Sequence, residues 1–466
     1  MLAPVSTPRP MTARWITIAL FVFCAAIFYT APMHRVEDSR YSLMVSRAIL
    51  DHGTVDLSVY QLPKYKPNPR FGVMPNGYPY HLYPIGSRLY LFFPLGSSIL
   101  SLPVVWVAGH LGISPVAKDG TYNDDGEATI EAFLASVLCA CVTCLFFQIG
   151  LLWLPLEYSL GLAIIGGFCT PILSTASRAL WSHTWLITLL SASIYMLCRA
   201  IRQSKKPNTL FFATCVAGIY FLRPTGSISI LCITVLTYVY MRERFIPYVL
   251  VGMGWAAVFV FFSKNIYGTT LPPYYDLHGT LLPPYYDVNQ FSGVSFMEAL
   301  AGNMISPSRG WLIYSPCLLL ICFLPKCTPL VKEKFLLAIS IFALFLQWLV
   351  ISYFPHWWGG FCYGPRLMTD VVPWMFLASV MATAAYLQRP LQGRNAWLMR
   401  TSFTLILAFT LFVNAGGAYG TSSIDWNGRP TSIDEHPERL WDWRHPQFFA
   451  GPYLGPSLCW QTHNFH

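Results

Sequence analysis

The sequence predicts an all-α protein that crosses a membrane about eleven times. Hydrophobic residues make up 55% of the 466 and charged residues only 11%, against about 25% charged in soluble globular domains. Mean hydropathy is +0.47. Apolar runs of about 20 residues, the length a bilayer requires, recur along the whole chain. Domain counting for soluble chains therefore does not apply, and residues 1–466 read as a single integral membrane domain. The net charge of +9 reports orientation before function in such a chain, and no nucleic-acid partner is implied.

The first apolar run, 14–32, follows Arg9 and Arg14 and lacks a small-residue cleavage signature, so a retained signal anchor is expected. Further spans are expected at 130–153, 157–177, 181–199, 209–222, 226–241, 245–263, 311–325, 334–354, 367–388 and 401–419. A twelfth apolar stretch, 89–108, is broken by Pro94, Gly96 and Pro103. Basic clusters decide its status. They stand at Arg199 to Lys206, at Arg242 and Arg244, at Lys326 to Lys334 and at Arg389 to Arg400. With a cytoplasmic N-terminus, eleven alternating spans place every cluster in the cytoplasm. Counting 89–108 as a full span breaks that parity. The stretch is therefore expected to be re-entrant or interfacial, because backbone broken by Pro and Gly is tolerated at depth only beside protein or a watery cavity.

This topology, placed in an inner (plasma) membrane, sends out a first external loop with interfacial helices at 33–129. A second external loop at 264–310, a short one at 355–366 and a C-terminal tail at 420–466 go to the same side. The polar chemistry then gathers on one face. That asymmetry favours an outward-facing enzyme over a flippase or transporter, which would carry ionisable residues midway along its spans. Most of the 13 Cys lie in apolar runs and read as small packing residues. Cys139, Cys141 and Cys144 have ligand-like spacing but no His or acid beside them. Cys362 and Cys459 are the pair that falls on the oxidising side, where a disulfide could form.

Just past the first span the chain reads EDSRYSLMVSRAILDHG. Tyr41, Met44, Val45, Ala48 and Ile49 share one face at helical spacing, and Gly53 ends the helix. Such a helix lies in the interface plane. Asp38 stands where an N-cap belongs, a role worth about 1 kcal/mol. A cap accounts for one acid and leaves Glu37 unexplained. A carboxylate at that depth is equally suited to act as general base toward an acceptor hydroxyl. Farther on, GTTLPPYYD (Gly268 to Asp276) recurs as GTLLPPYYD (Gly279 to Asp287). Its paired prolines forbid helix, leaving either a duplication packed over the membrane rim or an aromatic wall facing a substrate.

An acidic residue just after the first span, followed by SRYSLMVSRAILDHG, resembles the start of GT-C glycosyltransferases. These include lipid A aminoarabinose transferases and protein O-mannosyltransferases. The Tyr- and Pro-rich stretch YPYHLYPIGSRLYLFFPLGSSIL, with Tyr83, fits the interfacial segment of that superfamily. The resemblance spans about the first 230 residues in arrangement and is weak in residue identity. It implies a single sugar carried on polyprenyl phosphate, an inverting transfer, and Asp38 as the base with Glu37 assisting. The implied acceptor is a glycan, a protein hydroxyl (a pilin, for instance) or a lipid. A polysaccharide polymerase or ligase shares these features.

A polyprenyl-phosphate donor needs cations at the interface. Arg223 in YFLRPTG, Arg309 in SPSRGW and Arg366 in HWWGGFCYGPR are the candidates, since a guanidinium grips phosphate oxygens in a bidentate way. Snorkelling to lipid headgroups is the alternative for each. HWWGGFCYGPR also offers His356, Trp357, Trp358 and Tyr363 with three glycines, a composition suited to sugar or donor binding or to an aromatic belt. In RALWSHTW, Arg178 and His183 flank the start of another span, where His183 meets donor, acceptor or a neighbouring helix. Asp124, Asp125 and Glu127 in YNDDGEA could bind a divalent cation or form a solvated turn, and no metal ligand set is assigned. The tail is rich in Trp, Arg, Asp and His, suited either to covering the site or to folding back on the surface.

Overall fold

A computed structural model describes residues 10–32, 37–66, 77–275, 293–316, 331–354, 356–388, 390, 392–420 and 422–450. Within them the protein is a helical, polytopic membrane protein. Its helices in chain order are α1 (Pro10–Thr30), α2 (Ser42–His52), α3 (Gly96–His110), α4 (Asp124–Gly150), α5 (Leu156–Phe168), α6 (Ser182–Gln203) and α7 (Thr209–Leu222). There follow α8 (Ser227–Tyr240), α9 (Arg242–Tyr267), α10 (Phe296–Ile305), α11 (Trp311–Tyr314), α12 (Val331–Ser352), α13 (Val372–Gln388), α14 (Gly393–Tyr419) and α15 (Ser422–Asp425). Among the described residues, seven helices are long and apolar enough to cross a membrane, and Leu156–Phe168, Thr209–Leu222 and Pro224–Tyr240 are shorter apolar helices. All ten fall on expected spans, although α5 stops at Phe168, short of the expected 177. The expected span 311–325 opens with α11 and then runs outside the described residues.

Packing follows the sequence pattern. α4 is apolar on all sides and lies at the centre, against α1, α5 and α6. Phe146 of α4 stacks on Phe376 of α13 at 4.1 Å between ring centres. Gly166 lets α5 come that close, since a Cβ there would meet the Phe146 ring at 2.8 Å. The outer helices α1, α9 and α14 instead leave large apolar side chains outward, such as Trp15, Ile246, Phe261 and Leu405. That is the surface a bilayer solvates.

The stretch 89–108, expected to be re-entrant or interfacial, is part strand and part helix. Its start is the second strand of a hairpin, β1 (Leu82–Ile85) paired with β2 (Arg88–Leu91), with Tyr83 opposite Tyr90. Gly86 takes the left-handed backbone of the two-residue turn, at φ 60°. α3 then carries Pro103 inside it and packs on α2. Asn123 caps α4 by accepting from the Gly126 N–H at 3.1 Å, so the helix begins at Asp124, ahead of the expected span 130–153.

The N-terminus of α2 is built otherwise than the cap reading supposed. Asp38 lies earlier, in a short 3-10 turn, Glu37–Ser39. Tyr41 holds the cap position with left-handed backbone and no side-chain cap. Glu127 reaches over from α4 and accepts from the backbone N–H groups of Tyr41 (2.9 Å) and Leu43 (2.7 Å) and from the Tyr122 hydroxyl (2.6 Å). The capping carboxylate therefore comes from another helix, and Asp38 is left for other partners.

Candidate active site

Several helix ends meet on one side of the bundle. Asp38 follows α1, Ser182 and His183 open α6, Arg223 ends α7, and Asp370 sits in the turn Arg366–Val371 before α13. Asp38, Ser42, Phe93, Trp181, Arg223 and Tyr274 line an open cleft there of about 400 Å³, counting the solvent at its mouth. Trp181, Phe93 and Tyr274 supply flat apolar faces, and Asp38 and Arg223 supply opposite charges.

Asp38 is held by two groups. Arg366 Nη1 donates to its Oδ2 at 2.5 Å and the Tyr80 hydroxyl to its Oδ1 at 3.1 Å. The Arg366 guanidinium also lies over the Trp181 ring, 4.2 Å from its centre. Burial is the largest influence and opposes ionisation of Asp38, but the Arg366 charge and hydrogen bond, the nearby His81 and the Tyr80 hydroxyl together outweigh it and hold the carboxyl below the ordinary value of 3.8. The side chain keeps 30% of its exposure, so dehydration is incomplete and the net direction is downward. Asp38 is thus an ionised acceptor at neutral pH, facing the cleft and restrained by a cation.

A second cluster stands beside it. His183 Nδ1 and Asp370 Oδ1 are 2.6 Å apart, and Arg223 Nε lies 3.2 Å from Asp370 Oδ2. Arg223 Nη1 reaches both Ser182 Oγ (3.1 Å) and His183 Nε2 (3.0 Å). His183 is fully buried with both ring nitrogens engaged, so sugar contact by this side chain does not fit its surroundings. Asp370, Tyr80 and Trp181 were not singled out in the sequence. For Asp370 there was a signal, an acid at the edge of the expected span 367–388, where ionisable side chains are costly and need partners. Tyr274, from the first copy of the repeat, lines the cleft, whereas the second copy lies outside the described residues.

Other predicted residues lie apart from the cleft. Arg309 is 1% exposed, and its five N–H donors go to Trp358 O, Ser308 O, Gln447 Oε1, Gly360 O and Asn427 Oδ1. That leaves no donor for a phosphate. Trp357 and Trp358 are buried with Trp426, Ile433 and Leu440, and Gly302 of α10 gives way to the Trp357 ring. Trp358 Nε1 (2.8 Å) and His356 Nε2 (2.9 Å) both meet Asp434 Oδ1. The buried Tyr363 hydroxyl donates to Val413 O at 2.7 Å. HWWGGFCYGPR is therefore mostly a seat for residues 422–450, and only Arg366 of that motif reaches the cleft residues. Tyr83 sits in the hairpin against Phe92 and does not line the cleft. The Glu37 side chain lies outside the described residues.

Asp124, Asp125 and Glu127 form the first turn of α4 rather than a solvated loop. Asp124 accepts from Arg40 (3.4 Å) and lies 3.2 Å from the Tyr122 hydroxyl, whose single proton goes to the nearer Glu127. Among the described residues no three His, Cys, Asp or Glu side chains gather as a metal site. Cys362 is free and buried, and Cys459 lies outside the described residues.

No protein-family model and no curated protein sequence matches the chain. Solved structures do. The Archaeoglobus fulgidus oligosaccharyltransferase tethered to an acceptor peptide with the NVT sequon shares 12% identity at a TM-score of 0.48, covering 93% of this chain and 60% of that one. The apo form of the same protein shares 10% at a TM-score of 0.42, covering 94% and 61%. The Archaeoglobus fulgidus oligosaccharyltransferase AglB in complex with an inhibitory peptide and a dolichol-phosphate shares 11% at a TM-score of 0.40, covering 93% and 60%. This chain spans about three fifths of the length of these similar structures, and no residue of the cleft is assigned from them.

Proposed function

We propose that this protein is a membrane glycosyltransferase of the GT-C type, moving a single sugar from a polyprenyl-phosphate donor to an acceptor hydroxyl. The observation that carries the reading is the Asp38 carboxylate, ionised and cleft-facing, beside two arginines on an apolar, aromatic-lined floor. Asp38 takes the proton of the acceptor hydroxyl as its oxygen attacks the anomeric carbon. The sugar–phosphate bond breaks, and its electron pair leaves with the phosphate, whose charge Arg223 and Arg366 neutralise. Ion pairing makes Asp38 a weak base in the resting protein. A donor phosphate that draws Arg366 toward itself restores that basicity, so the anion and the base are coupled through one guanidinium.

The proposed face is the external one, opposite the basic clusters of the inter-helix loops, in an inner membrane with the N-terminus inside. The test is mass spectrometry of envelope proteins and glycolipids from cells with and without the protein, repeated with Asp38→Asn. The expected result is a sugar-mass difference that Asp38→Asn abolishes, with the rate on purified lipid-linked donor falling by about 10²–10⁴-fold. Full transfer by the Asp38→Asn protein removes Asp38 from the chemistry. Absence of any glycosylated product with the native protein defeats the reading as a whole.

A further inference from the structure

Arg223 is a cation and has no lone pair, so it can only donate to the His183 Nε2 that lies 3.0 Å from its Nη1. The ring proton of His183 must then sit on Nδ1, which donates to Asp370 Oδ1 at 2.6 Å. Asp370 Oδ2 is ion-paired with Arg223 Nε at 3.2 Å and accepts from the Thr225 hydroxyl at 3.3 Å, while Arg223 Nε–H donates to Thr225 Oγ1 at 3.5 Å. Ser182 Oγ takes the other Nη1 donor at 3.1 Å. Three of the five guanidinium donors are thereby held inside the protein. Both Nη contacts are on Nη1, so the two donors on Nη2 make no hydrogen bond among the described residues, and Arg223 lines the cleft that Asp38 shares.

We propose that Asp370 and His183 are positioning residues, which together fix Arg223 by one edge and leave its Nη2 edge as a preformed receptor for a phosphate group in the cleft. Neither touches the ligand. A guanidinium held on one side loses little freedom on binding, so the anion meets an organised site. The inference rests on the proposed reaction in one respect, that the anion is the phosphate of a polyprenyl carrier.

The test uses the full-length protein purified in detergent and undecaprenyl phosphate as the probe, with affinity measured by thermophoresis. Arg223→Ala and Asp370→Asn are each expected to weaken binding about tenfold or more, and the double variant to bind like Arg223→Ala alone, because Asp370 acts only through Arg223. Wild-type affinity in Asp370→Asn, alongside a loss in Arg223→Ala, overturns the positioning role and leaves the proposed reaction standing. Unchanged affinity in Arg223→Ala overturns the inference and the phosphate role of Arg223 in that reaction together. If Asp370→Asn does not fold, position 183 takes over the measurement. His183→Gln keeps an acceptor for Arg223 and is expected to retain more affinity than His183→Ala, and equal losses overturn the inference. Independently, ¹⁵N spectra of labelled histidine should show His183 protonated at Nδ1. A proton on Nε2 overturns it, since that nitrogen could not then accept from Arg223.

Discussion

At the scale of single residues, the ion pair of Asp38 and Arg366 makes predictions about pH. The Asp38 carboxyl lies below its ordinary value in the folded protein, so the unfolded chain binds its proton first as pH falls. The pair's contribution to stability is therefore complete above about pH 5 and is lost as the pH falls through the lowered value. Thermal melts in detergent across pH should show that acid step, and Asp38→Asn should lack it. Activity carries the same signature: the acid limb of kcat/KM should move to higher pH in Arg366→Ala, where the carboxyl is released from the guanidinium. The identity of Asp38 as a candidate was legible, since two acids stood beside a membrane span. Its partners were not, because Tyr80 and Arg366 come from segments 42 and 328 residues away. Glu127 gives a second lesson. It looked like a loop acid, yet it caps a helix from outside, and a cap search restricted to neighbouring residues cannot find it. Glu127→Gln should cost about 1–3 kcal/mol in the same melts, because one oxygen is replaced by a donor facing N–H groups.

At the scale of elements, the spans were readable because a bilayer demands length and apolar content, and α7 matches its expected limits, Thr209–Leu222. The hairpin was missed although its signal was present: in YPIGSRLYL, Gly-Ser separates two short strands in the pattern of a two-residue turn. The apolar run that follows reads instead as a re-entrant or interfacial segment. For the segment 422–450 the sequence leaves covering the site and folding back equally open. Its folded-back course depends on Gln447, which accepts from Gly364 N–H (3.1 Å) and Arg309 and donates to Cys362 O and Ser423 O (2.8 Å each). Nothing in the local sequence marks that glutamine. Gln447→Ala leaves those buried groups unpaired and should cost about 1–3 kcal/mol for each group that finds no water. Limited proteolysis should then cut within 422–450 much sooner than in the native protein. Arg309→Lys should act in the same direction, since an ammonium with three donors cannot serve five acceptors. Wild-type protease resistance in both variants would refute the clamp.

At the scale of the whole molecule, the outward apolar faces of α1, α9 and α14 and the buried centre formed by α4 and α13 define a bundle whose solvent is lipid. The proposed orientation predicts that a single cysteine placed at Asp56 in a Cys-free background reacts with an impermeant maleimide in intact cells, and that one at Lys205 reacts only after lysis. The reverse pattern would put the cleft on the cytoplasmic side and end the proposed role.

The 328 residues between Asp38 and Arg366 also set a schedule. During biosynthesis the carboxylate leaves the ribosome early, and its guanidinium arrives only after most of the helices have been made. A nascent or prematurely terminated chain ending before Arg366 holds one half of the pair, with the Asp38 carboxylate lacking its guanidinium. Supplying the missing C-terminal helices as a separate polypeptide should restore the pair, making two-fragment complementation a direct readout of late assembly.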